Sequence, residues 1–161
     1  MKCGIELKRY ISTNDRNSYT YMLEILLSLG GKDLDYKWLI TDIVAYPMDN
    51  GKYDELLKKN DFLIMSNHDL FEMLSECDFQ WIWAVFSAIP DNIDDGEILK
   101  YELPYADGND DIYIDNAPII QHPLADIEIV AEDSTSVFIV AKENSVAEKF
   151  HDLFPNAKMN Y

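Results

Sequence analysis

Residues 79–89 read Phe-Gln-Trp-Ile-Trp-Ala-Val-Phe-Ser-Ala-Ile, apolar everywhere except Gln80 and Ser87. The run is well short of the roughly 20 residues a membrane-spanning helix needs. As a strand it carries Trp81, Trp83 and Val85 on one side and Ile82, Ala84 and Phe86 on the other. A strand apolar on both faces must be covered on both faces, so this segment belongs at the centre of a sheet within a layered domain. Composition allows such a core: of 161 residues, 48% are apolar and 12% aromatic. No Gly-, Ser- or Pro-rich linker divides the chain, and one domain spanning residues 1–161 is expected.

Around that segment the hydrophobic period alternates between strand and helix. Cys3, Ile5 and Leu7 alternate with Lys2, Glu6 and Lys8, the pattern of a half-buried strand. Tyr19, Met22, Leu23, Leu26 and Leu27 form one helical stripe, with Asp15, Asn17 or Ser18 available as a cap and Gly30-Gly31 as a stop. Residues 38–46 predict a strand ending at Pro47, followed by a polar stretch over 48–60 with one helical turn at 53–58. A short strand over 62–65 and a short helix carrying Leu70, Phe71 and Leu74 come next. Residues 127–131 and 137–141 flank a polar turn and predict a hairpin. Ser145 and Glu148 have capping-box spacing for a last helix whose stripe is Val146, Phe150 and Leu153, stopped by Pro155. The expected class is α+β: a largely antiparallel sheet with two main helices packed on it.

The charge is distributed unevenly. Thirteen Lys and Arg face thirty Asp and Glu, a net charge of −17. Between Lys59 and Lys142 there is a single lysine, Lys100, against eighteen carboxylates, so residues 60–141 hold the whole net charge. So negative a chain repels phosphate backbones and anionic lipid head groups, which excludes nucleic-acid and membrane-surface partners. It suits a basic protein partner, because opposite charge speeds association and rejects wrong partners once aromatic anchors supply contact area. The densest stretch predicts the partner-binding residues: Asp91, Asp94, Asp95, Glu97, Asp110 and Asp111, with Tyr101, Tyr105 and Tyr113 as anchors.

Two other uses of these residues compete. Residues 91–102 can be laid on an EF-hand calcium loop, with Asp91, Asp95, Gly96 and Glu102 at positions 1, 5, 6 and 12. Ile93 then occupies a position that needs an oxygen ligand, and Pro90 and Pro104 stand where the flanking helices belong. The indoles of Trp81 and Trp83 could instead line a small-molecule pocket, although a Trp-x-Trp pair on an apolar strand more often belongs to a core.

Catalytic signatures are lacking. His68, His122 and His151 have no ligand-spaced partner, and no Walker loop, GxGxxG or GxSxG is present. Cys77 with a distant histidine is the one nucleophilic arrangement left open. The expectation is a non-enzymatic chain with no cofactor and no metal. Lys2 and Glu6 interrupt any signal-like apolar stretch, and Cys3 and Cys77 match no Cys-x-x-Cys spacing, which fits a cytoplasmic setting.

The stretch Gln80-Trp81-Ile82-Trp83-Ala84-Val85-Phe86-Ser87-Ala88-Ile89-Pro90 resembles small acidic bacterial proteins with a Trp-rich central strand. Asp133-Ser134-Thr135-Ser136-Val137 and Phe154-Pro155-Asn156-Ala157-Lys158 extend the resemblance. Some such proteins are similar to immunity proteins of bacterial polymorphic toxin systems. The resemblance implies a non-catalytic inhibitor that sequesters a toxin domain, and it carries over no functional residue.

Overall fold

The computed structural model describes residues 3–8, 10–11, 17–18, 20–47 and 51–160. In chain order these form β1 (Cys3–Lys8), β2 (Tyr10–Ile11), β3 (Asn17–Ser18), α1 (Met22–Leu29), β4 (Tyr36–Ala45), α2 (Lys52–Lys59) and β5 (Phe62–Ser66). There follow α3 (Asn67–Glu76), β6 (Trp81–Pro90), α4 (Asp95–Ile98), β7 (Ile127–Glu132), β8 (Ser136–Ala141), α5 (Asn144–Leu153) and β9 (Lys158–Asn160). Seven strands make one antiparallel sheet in the order β5-β4-β6-β7-β8-β1-β9, and β2 pairs with β3 apart from it. The class is α+β. No described helix is long and apolar enough to cross a membrane.

The apolar run over 79–89 becomes β6, between β4 and β7, and is buried on both faces as its composition requires. One face carries Trp38, Ile40, Ala84, Phe86, Ile129 and Ile139, on which α1, α3 and α5 pack through Met22, Ile25, Leu26, Leu70, Leu74 and Phe150. The two expected main helices, α1 and α5, are thus joined by α3. Trp38 ties α3 down: its Nε1–H donates to Asn67 Oδ1 at 2.9 Å, and Asn67 Nδ2–H donates to the Gly31 carbonyl at 2.8 Å.

Alternation predicts Trp81 beside Trp83 and Val85, and the structure separates them. The β4–β6 register slips by one residue between Trp83 and Trp81, so Trp81 joins Ala84 and Phe86 on the helical side while Trp83 packs with Val85 opposite. Trp81 is fully buried, edge-on to Phe86 at 4.8 Å between ring centroids.

Helix ends also depart from expectation. The cap of α1 is Tyr21, with no side-chain hydrogen bond; Asn17 and Ser18 lie in β3, and Asp15 and Tyr19 lie outside the described residues. Gly30 does end α1, at φ 130°, its N–H reaching the Leu26 and Leu27 carbonyls, a backbone conformation unfavourable for a side chain. No capping box forms at α5, which starts at Asn144 after Glu143 with no side-chain cap. The turn expected at 53–58 lengthens into α2. The hairpin β7–β8 forms as expected and turns through Asp133 and Ser134, both at positive φ.

Candidate functional site: an acidic cover

The second face of the sheet is closed by the acidic segment itself. Between β6 and β7, residues 91–126 turn Ile93, Ile98, Ile120, Leu124 and Ala125 onto Leu39 and Ile89. Further along the sheet they place Ala106, Ile112 and Ile114 on Val85, Val130 and Phe138. A buried apolar residue every few positions explains how so charged a stretch stays folded: burial on one side offsets the repulsion on the other.

Polar side chains pin this cover at three places. Asp42 sits in a bulge of β4 at φ 51°, and its Oδ2 accepts the N–H groups of Ala106 and Asp107, both at 2.8 Å. Gln121 brackets Tyr105, accepting its N–H and donating to its carbonyl, each at 3.0 Å. Glu128, 1% exposed on β7, accepts Gln121 N–H at 2.7 Å, His122 N–H at 2.8 Å and the Ser87 hydroxyl at 3.0 Å. Beside it the His122 ring is fully buried. Leu124 N–H donates to its Nδ1 at 3.2 Å, so the ring hydrogen is on Nε2 and is donated to the Ile98 carbonyl at 3.1 Å. Burial pushes the His122 pKa below its ordinary value, the Ile98 hydrogen bond opposing in part. Start, middle and end of the cover are therefore tied to one another and to the sheet.

Outward the cover shows acids and large apolar groups together. Asp91, Asp94, Asp95, Tyr101, Tyr105, Asp110, Asp111 and Tyr113 are exposed and Glu97 is half-exposed. Leu99, Leu103 and Ile119, which the charge pattern alone did not single out, are exposed among them. Tyr113 donates to Glu132 Oε1 at 3.3 Å and stands edge-on to Phe138. Its pKa is raised by burial first, then by Glu132, Asp110 and Asp133, which extends the acidic surface onto the β7–β8 turn. Tyr101 lies edge-on to the His122 ring at 5.4 Å.

Folding redistributes part of the charge. Lys37 reaches Asp95 at 2.9 Å, Lys142 reaches Asp126 at 3.0 Å, Lys158 reaches Asp115 at 2.7 Å, and Lys100 pairs with Glu97 at 2.6 Å. Asp95 and Glu97 are thus already engaged, and Asp94 Oδ2 caps α4 by accepting Gly96 N–H at 2.9 Å. Asp91 and Asp111 have no cation among the described residues.

The competing uses find different geometry. Over 91–102 the calcium-loop frame is missing: strand β6 leads in, α4 occupies the middle, and Ile93 and Ile98 point into the core. Trp81 and Trp83 lie on opposite faces of the sheet and share no pocket. Cys77 closes α3, with His68 at the far end of that helix and His122 across the sheet. His68, Asp69 and Glu72 present ligand atoms within 4.8 Å of one another, all exposed, at the N-terminal end of α3 where the helix dipole opposes a cation.

No family model matches the chain, and no curated protein or solved structure is similar to it.

The pinning residues have a sequence signal that charge counting passes over. Asp42 interrupts Leu39-Ile40-Thr41 and Ile43-Val44, and Glu128 stands between Ile127 and Ile129. Glu128, between two buried isoleucines, has no solvent to point to and must find N–H donors, whereas Asp42 is half-buried and is marked only by a carboxylate breaking an apolar strand.

Proposed function

We propose that the chain is a non-catalytic binding protein whose acidic cover docks a cationic protein surface. Membership of the immunity-type inhibitors that block a toxin domain is the specific form suggested by the resemblance in β6. The observation that carries the reading is the two-sided cover: its isoleucines fill the sheet face, which leaves Tyr101, Leu103 and Tyr105 outward among Asp91, Asp110 and Asp111. A surface of apolar anchors ringed by charge combines contact area with electrostatic steering. The pins hold it in place before contact, which lowers the ordering cost of binding.

The test is a comparison of two immobilised proteins, the wild type and the variant carrying Asp91, Asp110 and Asp111 all changed to Lys. Both are exposed to the soluble proteins of the native host at increasing salt. The wild type should retain a cationic protein that is released as salt rises, and the variant should lose it with its circular dichroism unchanged. Equal retention by both, with no salt dependence, rejects the reading.

A further inference from the structure

Two features the monomer leaves unused meet in one groove on the helical side. Leu27 and Leu153 belong by spacing to the apolar stripes of α1 and α5, yet they are 53% and 61% exposed. Both line a groove of about 570 Å³ whose wall includes the half-buried Phe71 of α3. The second feature is electrostatic. Nine lysine side chains are described, and seven are ion-paired. The two that have no ion pair among the described residues, Lys32 and Lys149, line this same groove. Carboxylates stand next to them: Asp33 follows Lys32, and Glu148 and Asp152 flank Lys149 along an adjoining groove of about 320 Å³. These three are likewise without an ion pair among the described residues.

We propose that this face is a twofold interface between two copies of the chain. A twofold contact sets a patch against itself, so a patch that holds apolar groups together with both signs of charge can complement its own copy. The groove holds all three, whereas the cover on the far side of the sheet is almost wholly acidic. Leu27 and Leu153 of one copy enter the groove of the other, and Lys32 and Lys149 meet Asp33, Glu148 and Asp152 across the axis. A foreign cationic partner finds better complementarity on the cover, whereas a second copy, itself at −17, finds both signs of charge only on this face, where local pairing offsets the overall repulsion. Joining through the helices also keeps the two acidic covers on the outside, apart from each other and open.

Sedimentation equilibrium of the full chain from low micromolar to several hundred micromolar tests this. The wild-type mass should rise from 18.6 kDa towards twice that value with concentration. The double variant Leu27→Ser, Leu153→Ser should dimerise at least about tenfold more weakly, since two apolar anchors are lost. At low micromolar concentration, where both proteins are single chains, its melting temperature should match that of the wild type, because neither leucine is buried within one chain. Lys149→Glu should weaken the dimer independently. A wild type that stays at 18.6 kDa throughout overturns the proposal. So does a double variant that dimerises like the wild type, or a dimer abolished by Tyr101→Ala and Tyr105→Ala on the cover instead.

Discussion

The Asp42 carboxylate accepts the Ala106 N–H at 2.8 Å across sixty-four residues of chain. It takes the Asp107 N–H with the same oxygen, so a strand bulge on one layer sets the path of the acidic cover on the next. The left-handed backbone at Asp42 suits Asp or Asn and disfavours other side chains. Asp42→Ala should therefore cost about 2–3 kcal/mol, from two charge-assisted hydrogen bonds and the strained φ, and Asp42→Asn about 1 kcal/mol. Urea titration measures the loss, and amide exchange should speed at Ala106 and Asp107 first. Unchanged exchange at both amides would show that the carboxylate does not hold the cover.

Glu128 carries a heavier load, because it is buried and accepts three hydrogen bonds. In Glu128→Gln an amide N–H₂ replaces one acceptor and faces a donor. A loss of about 2–4 kcal/mol in unfolding free energy is expected, seen as a lower urea midpoint, from a buried donor left unsatisfied. A midpoint equal to the wild type would contradict the role assigned to this carboxylate.

His122 confers a pH dependence with a definite sign. Its folded pKa lies below the ordinary 6.5, chiefly through burial, so the unfolded ring takes up a proton at higher pH than the folded one. The stability that depends on the neutral ring is present above about pH 6.5 and is lost as the pH falls from there through the folded value. His122→Gln cannot take up that proton. The wild type's advantage over it should shrink between about pH 7.5 and pH 5. A difference that stays constant across that range refutes the assignment.

Asn67 bridges Trp38 and Gly31, satisfying an indole N–H and a carbonyl at the edge of the helical core. Asn67→Ala strands both and opens a small cavity, and it should cost about 2–4 kcal/mol. Asn67→Asp keeps the acceptor for Trp38 but sets a buried carboxylate oxygen against the Gly31 carbonyl, so it should lose at least as much as Asn67→Ala. Thermal melts of the three proteins check the order, and an Asn67→Asp as stable as the wild type would break the account.

The elements of this fold were legible because periodicity records which side of each element is buried. The double-sided run became the central strand, the alternation at Cys3, Ile5 and Leu7 became an edgeward strand, and the pair of β-rich runs became β7 and β8. The acids and tyrosines of 91–115 lie outward, as their chemistry demands. Leu27, Leu153 and the side of Trp81 were not legible. Their spacing assigns them to a stripe or a face, but a register slip and the limits of the helical core decide where they point.

Read alone, then, the chain determines its α+β class, the strands β1 and β4 to β8, the helices α1, α3 and α5, and the negative charge of its middle half, since each depends on neighbours a few residues apart. Only the tertiary structure decides that this middle half is a cover pinned to the second face of the sheet. Asp42, Gln121, Glu128 and His122 acquire their roles from donors and acceptors brought beside them by the sheet, and a buried carboxylate takes whatever N–H groups folding supplies.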